Sequence, residues 1–319
     1  MLHTVKTIIY IFIIFDPYNH FLFFMNNLKA VIDNQINKNA GINLLCKWKS
    51  HFNFSDEMLR SVHKIKYIDK YLQESLTDYA ANKVLDEFYR INQYYQFNDN
   101  SKIELKSIYA NLINDLANKQ TPADQLAEIH FSNLKQWLLK TNLFAAKMYS
   151  NSAENIEPTV CFEYTPRLQL DILQIDMSKI VEPVLDIGCG QKGNLVNYFR
   201  RKGIEAFGID RFPSDSLYIQ NTDWLEFDYG GVNRWGGTII SNLGFSNHFV
   251  HHHLRKDGNY VYYAKKYMEV IRSLKVNGSF HYAPDLSFIE QFLDTGIYKI
   301  KQKPIDNRSY KSTVIKRLL

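Results

Sequence analysis

Cysteine is scarce in this chain. The 319 residues hold three, Cys46, Cys161 and Cys189, odd in number and widely spaced. That spacing excludes a disulfide framework and a zinc knuckle, and makes a reducing cytoplasm the expected compartment. An excess of one charge is also missing. Thirty-eight basic and 33 acidic residues leave a net +5, and both halves share the balance. A chain dedicated to coating nucleic acid or binding acidic surfaces is thereby excluded. Internal repeats and low-complexity tracts are absent.

No long hydrophobic run exists either. The most apolar segment is residues 1–25, and its first unbroken run, residues 8–15, ends at Asp16, Pro17, Asn19 and His20. A spanning helix needs about 20 apolar residues, so a membrane protein is not expected. Lys6 before the run is compatible with a signal peptide, but no small-x-small cleavage site follows. The expectation is an apolar leader, residues 1–25, upstream of a true start at Met25; a peripheral anchor and a buried strand are the alternatives.

What is present is a globular composition, 45% hydrophobic and 22% charged, enough for a normal core. The length fits one large or two ordinary domains, and two are expected. Residues 40–150 carry apolar positions at helical spacing and read as an all-helical domain. Leu59, Val62, Ile65, Ile68 and Leu72 form one stripe, with Ser55 as cap and Asp56 and Glu57 in the first turn. Val84, Leu85, Phe88 and Ile91 form a second behind Ser75 and Asp78, a box-like start. Ile108, Leu112, Ile113 and Leu116 make a third. The fourth opens with Thr121 as cap, Pro122 first and Asp124 third, and runs through Leu126, Ile129, Leu134, Trp137 and Leu138. Residues 150–158 are polar and read as a linker.

From residue 156 onward the period changes. Short apolar runs alternate with helical stretches, which predicts an α/β fold with a doubly wound, mostly parallel sheet. The two closing runs, YKIKQKPI and STVIKRL, predict an antiparallel pair. The segment VLDIGCGQKG, residues 184–193, sets a buried strand against a glycine-rich turn and a helix over residues 194–202. Read literally, Gly188, Gly190 and Gly193 spell a dinucleotide fingerprint, with Asp210 at the ribose distance.

Asp186 argues for a different ligand. Two residues before the first glycine, its carboxylate would repel a pyrophosphate but attract a cation. The segment therefore resembles the first motif of class I S-adenosylmethionine-dependent methyltransferases. That resemblance covers about half the chain and implies a seven-stranded sheet and S-adenosylmethionine as cofactor. It implies that Asp186, Gly188, Cys189 and Gly190 form the cofactor turn, that Asp210, with Arg211 beside it, holds the ribose, and that Asp223 and Trp224 in QNTDWLEFD hold the adenine. The third glycine lies one residue later than in the commonest form of the motif. Arg167, at the start of a helix capped by Thr165 with Pro166 first, is a candidate for the cofactor's carboxylate.

The end of the fourth strand, with Asn242, Leu243, Gly244 and Phe245, is expected beside the reacting methyl group. Asn242 and Phe245 have the spacing of the Asn-Pro-Pro-aromatic motif of nucleic-acid amino-methyltransferases, without its prolines. His248, with an ordinary pKa suited to general-base work, is the leading catalytic candidate, and His251, His252 and His253 are alternatives. Four histidines in six positions also suit a metal, but consecutive histidines diverge and no acidic or cysteine cluster accompanies them, so no metal is expected. His281 and Asp285 are weaker candidates.

A small-molecule acceptor is expected ahead of a nucleic acid, although Lys299, Lys301, Lys303, Arg308, Lys311, Lys316 and Arg317 could touch phosphate. A nicotinamide oxidoreductase would need a pair such as Tyr262 and Lys266. A methyltransferase-like binding module without turnover is the remaining alternative. Neither the acceptor nor the oligomeric state follows from the sequence.

Overall fold

The computed structural model describes residues 17–46, 52–65, 69–118, 121–150, 155–156, 164–230, 236–305 and 309–319, and the side-chain surroundings of all these but 17–22 and 62–65. The chain divides into two compact units, residues 1–160 and 161–319. Cys161, Arg308, Ile68 and most of the linker expected at 150–158 lie outside the described residues, as do residues 1–16 of the apolar start.

Among its described residues the first unit is helical apart from one isolated bridge, Ile42 to Asn155. Its helices are α1 (Pro17–Asn39), α2 (Asp56–Ile65), α3 (Lys70–Ile91), α4 (Asp99–Asn118), α5 (Ala123–Thr141) and α6 (Phe144–Tyr149). Met25 falls inside α1, buried with Leu28 and Val31. Ser55 does cap α2: its Oγ accepts from the Met58 N–H at 3.1 Å.

Three helix boundaries differ from expectation. The stripe drawn from Leu59 to Leu72 belongs to two helices, because Asp69 accepts from the Leu72 N–H at 2.9 Å and starts a new one. Ser75 and Asp78 are consequently interior to α3, whose start is set upstream by that carboxylate at the positive end of the helix dipole. In α5 the first helical residue is Ala123; Pro122 takes the cap position, and no side-chain cap forms.

An aromatic cluster fastens this unit. Phe97 stacks on Trp137 at 4.6 Å, Phe88 lies against both, and the Trp137 indole N–H donates to the Ser101 carbonyl at 2.8 Å. Asn142 ends α5 and brackets Gln96, accepting from its N–H and donating to its carbonyl.

The second unit is built on a mixed seven-stranded sheet of order β3-β2-β1-β4-β5-β7-β6. The strands are β1 (Val184–Ile187), β2 (Ala206–Asp210), β3 (Ile219–Asn221), β4 (Thr238–Asn242), β5 (Ser279–Ala283), β6 (Tyr298–Pro304) and β7 (Lys311–Arg317). The first five pair in parallel, and β7 runs antiparallel to both β5 and β6. The helices are α7 (Pro166–Ile172), α8 (Asn194–Arg201), α9 (Phe245–His253), α10 (Tyr260–Ser273) and the short α11 (Ser287–Glu290).

Strand alternation divides the core in two. Leu185, Ile187, Ile239 and Phe280 join Phe249, Tyr263 and Tyr267 of α9 and α10. Val184, Ala206, Ile240 and Ala283 join Leu195, Val196 and Phe199 of α8. Asp186, Asp210 and Asn242 therefore share the α8 face, because each lies an even number of residues from one of its core positions. The strand order reverses between β1 and β4, and in open α/β sheets ligands bind at such a switch point, outside the carboxyl ends of the strands.

Candidate functional site

The site is assembled at that switch point. The turn after β1 hangs on the end of β2, since the N–H groups of Gly188 and Cys189 both donate to the Ile209 carbonyl, at 2.9 and 3.2 Å. Gly188 and Gly190 have φ of +74° and +77°, a conformation that favours glycine. A Cβ on Gly188 would also stand 3.0 Å from the Trp224 ring.

Asp210 ties the turn from the other side. One carboxylate oxygen accepts from the Gly190 N–H at 2.9 Å and the other from the Phe212 N–H at 2.9 Å. Burial pushes its pKa upward, opposed by those two hydrogen bonds and by Arg211. Asp186 is 1% exposed, and its Oδ2 has no hydrogen-bond partner among the described residues. Burial, followed by repulsion from Asp210, drives its pKa up to about 7. A buried carboxylate of this kind favours a cation brought to it.

After β3, Asp223 pairs with Arg211 at 3.4 Å, and the Arg211 guanidinium lies over the Trp224 ring at 4.9 Å. Trp224 in turn meets His248 edge to face at 4.9 Å. The indole is buried, and its Nε1 has no hydrogen-bond partner among the described residues. It thus forms a floor against Gly188. At the end of β4 both amide atoms of Asn242 are buried and without partners among the described residues. Orphaned buried polar groups cost roughly 1–3 kcal/mol each unless something meets them. Three residues at one sheet edge, Asp186, Trp224 and Asn242, carry such atoms.

Other expected residues are placed differently. Phe245 is 0% exposed and packs on Phe249 and Tyr263 in the core, so its ring cannot stack on an acceptor. Linear spacing did not show which face of α9 it occupies. His248 is 2% exposed, and burial, then Arg211, His252 and His251, lowers its pKa well below the ordinary value. The ordinary pKa expected for a general base is therefore corrected. Arg167 is exposed on the first turn of α7, whose Thr165 cap and leading Pro166 are as expected.

The remaining histidines diverge. His251 lies 3.1 Å from Arg255, the His252 Nδ1 accepts from the Asn259 N–H, and His253 stacks on Phe288 at 3.8 Å. No group of three metal-ligating side chains forms among the described residues. His281 bonds Ser279 and the Leu173 carbonyl, and Asp285 accepts from the Lys311 N–H. The Tyr262 hydroxyl donates to the Leu225 carbonyl and Lys266 to the Phe227 carbonyl, so both are committed to holding the segment after β3.

Two supporting residues escaped sequence reasoning. The Ser241 hydroxyl donates to the Ile187 carbonyl at 3.0 Å and accepts from the Phe245 N–H, joining β1, β4 and α9. Gly208 lies beneath the turn, where a Cβ would stand 2.5 Å from the Cys189 Sγ and 3.0 Å from Val196 Cγ2. A glycine inside a strand signals such an approach. Gly208→Ala is expected to cost roughly 1–3 kcal/mol in urea unfolding, part of it recovered by Cys189→Ala in the same chain. Equal stability of wild type and Gly208→Ala would contradict the close approach.

No protein-family model and no curated protein matches the chain. Among solved structures it is similar to the 1,6-didemethyltoxoflavin-N1-methyltransferase of Burkholderia thailandensis, at 16% identity and TM-score 0.33, over 49% of this chain and 79% of that one. It is similar to an rRNA methylase of Streptococcus thermophilus, at 10% identity and TM-score 0.34, over 50% and 100%. Magnesium protoporphyrin IX methyltransferase of Synechocystis PCC 6803 gives 13% identity and TM-score 0.32, over 78% and 96%. At such scores the fold assignment rests on strand order, register and the acidic residues at the carboxyl edge. By these, the second unit has the fold of the class I S-adenosylmethionine-dependent methyltransferases.

Proposed function

We propose that the protein is an S-adenosylmethionine-dependent methyltransferase acting on a small molecule at the carboxyl end of β4. The observation that carries this reading is the set of unmet buried polar atoms on Asp186, Trp224 and Asn242, beside Asp210 and Asp223. The set suits a ligand that is cationic at one end and rich in hydroxyl and amino donors, and it repels a pyrophosphate. In this assignment Asp186 holds the cationic methionine end over Gly188, Cys189 and Gly190. Asp210 takes the ribose hydroxyls with its remaining lone pairs, and Asp223, clamped by Arg211, takes the adenine amine. Arg167 would pair with the carboxylate.

S-adenosylmethionine, when bound, supplies a methyl carbon already activated by its sulfonium. What remains for the chain is positioning and proton handling. Asn242 offers an amide donor and acceptor to the acceptor molecule, and His248 offers a neutral imidazole. The buried Phe245 counts against a flipped base stacked there, and the commitments of Tyr262 and Lys266 count against hydride transfer.

Calorimetry with S-adenosylmethionine, S-adenosylhomocysteine and NAD tests the cofactor. Binding of the adenosyl compounds and not NAD is expected, and the absence of either adenosyl complex would overturn the proposal. Methyl transfer from labelled cofactor to small-molecule and RNA fractions then tests the acceptor class. His248→Ala is expected to slow transfer about 10²-fold while changing cofactor affinity less than about threefold. Because burial and its cationic neighbours hold the imidazole neutral, the wild-type rate should show no ionisation of this group around neutral pH. Equal loss of binding and transfer would make His248 a packing residue only.

A further inference from the structure

The first unit contains a space that the methyltransferase reading does not use. Between α1, α2, α3, α4 and α5 lies a cavity of about 120 Å³. Its walls are almost wholly aliphatic and aromatic, among them Ile32, Leu76, Ala80, Leu112 and Leu116. Small-molecule sites commonly combine apolar walls with a few placed polar groups. A void of this size also forfeits dispersion contacts along its lining, which a ligand would restore.

One buried polar atom on its wall lacks a hydrogen-bond partner among the described residues. His130, on α5, is 3% exposed and lines the cavity, with its ring against Tyr109 at 4.9 Å and Phe52 at 6.0 Å. Its Nδ1 is buried and has no hydrogen-bond partner among the described residues. Burial lowers its pKa to about 4, so the imidazole is neutral in the physiological range. Of the other ionisable wall residues, Glu87 is paired with Arg90 on the same helix, and Tyr109 lies against the His130 ring. Among the described residues neither Lys nor Arg lines the cavity. Burying a charge against walls so largely apolar would be costly.

We propose that this cavity is a second ligand site, which takes an uncharged, largely apolar small molecule carrying a single hydroxyl group bound by His130. A hydroxyl is the fitting polar handle because it both donates and accepts, and so satisfies Nδ1 in either neutral tautomer. Fatty-acid-like anions are disfavoured by the same walls. The site lies wholly within the first unit and is independent of the cofactor assignment.

The full-length protein tests this with N-phenyl-1-naphthylamine, a neutral apolar dye that brightens in dry pockets. Saturable binding at one site per chain is expected. Ala80→Phe, which places a ring in the cavity, should weaken it at least tenfold. Ile36→Trp, at a half-buried wall position, serves the same purpose should Ala80→Phe fail to fold. The polar arm is read by displacing the dye with 2-naphthol or with naphthalene. The ratio of their affinities should fall about five- to tenfold in His130→Phe, the equivalent of one buried neutral hydrogen bond. Decanoate should displace the dye poorly. Absent or non-saturable dye binding, unchanged binding in the folded filling variant, preference for decanoate, or an unchanged ratio in His130→Phe would each overturn the proposal.

Discussion

Asp186→Asn is expected to weaken S-adenosylmethionine binding about 10²-fold at pH 8 while making the free protein more stable. Both effects follow from one buried carboxylate. In the folded chain Asp186 has a pKa of about 7, raised first by burial and then by Asp210. In the unfolded chain the group titrates near the ordinary value of about 3.9. Between those two values the folded state holds the proton that the unfolded state has lost. Stability therefore falls as pH rises from about 4 to about 7 and is level above. Removing the charge should return on the order of 2–4 kcal/mol at pH 8 and nothing near pH 4.

Binding has the opposite dependence. A cationic ligand needs the ionised carboxylate, so wild-type affinity should climb up to tenfold per pH unit below about 7 and level off above it. The Asp186→Asn profile should be flat. Comparison with S-adenosylhomocysteine, which lacks the sulfonium charge, locates the contact: a larger loss for S-adenosylmethionine places Asp186 near the sulfur, and equal losses place it near the amino group. Calorimetry across pH and urea unfolding at pH 4 and pH 8 supply the measurements. Unchanged affinity at pH 8 would remove Asp186 from the site.

The second unit was more legible in the sequence than the first, for a physical reason. A parallel sheet buried on both faces needs short continuous apolar runs, and its turns need glycine or a capping side chain. Both leave local marks, as in VLDIGCG and AFGID. The order of β1, α8, β2, β4, α10 and β5 could thus be read directly, with the antiparallel end after it. Helix starts in the first unit were less visible because Ser, Thr and Asp occur inside helices as often as at their ends. Ser75 and Asp78 have the spacing of a cap, but it is the Asp69 carboxylate that accepts from the Leu72 N–H.

For the site the division is similar. The places of Asp186, Asp210, Asp223 and the glycines at or just after strand ends were legible through the resemblance of their motifs to the methyltransferase family. The direction of a side chain after a strand end was not. Phe245 and His248 stand three apart on α9, and only packing shows that both are buried, one in the core and one against Trp224. The role of Gly208 required knowing where Cys189 lies, and the His130 cavity required the packing of five helices. Non-local contacts of these kinds leave no periodic mark.

Asp210→Ala should be the most damaging substitution at the cofactor edge, because this side chain holds the chain and, in the proposed assignment, the ligand as well. Its two oxygens accept from the Gly190 and Phe212 N–H groups, fixing the turn after β1 to the bend after β2. Charge-assisted bonds of this kind contribute about 1.5–3 kcal/mol each, and alanine leaves both donors unmet. Loss of the ribose contacts adds to the loosened turn, so affinity for S-adenosylmethionine and S-adenosylhomocysteine should fall alike, by about 10³-fold or more. Unlike Asp186→Asn, Asp210→Ala should also lower stability, because the backbone groups it abandons outweigh relief of its own burial. The opposite stability signs of the two variants make a strict test, read by urea unfolding at pH 8. If Asp210→Ala were as stable as wild type, the carboxylate would be no part of the turn. If it bound both adenosyl compounds normally, the ribose assignment would be lost with it.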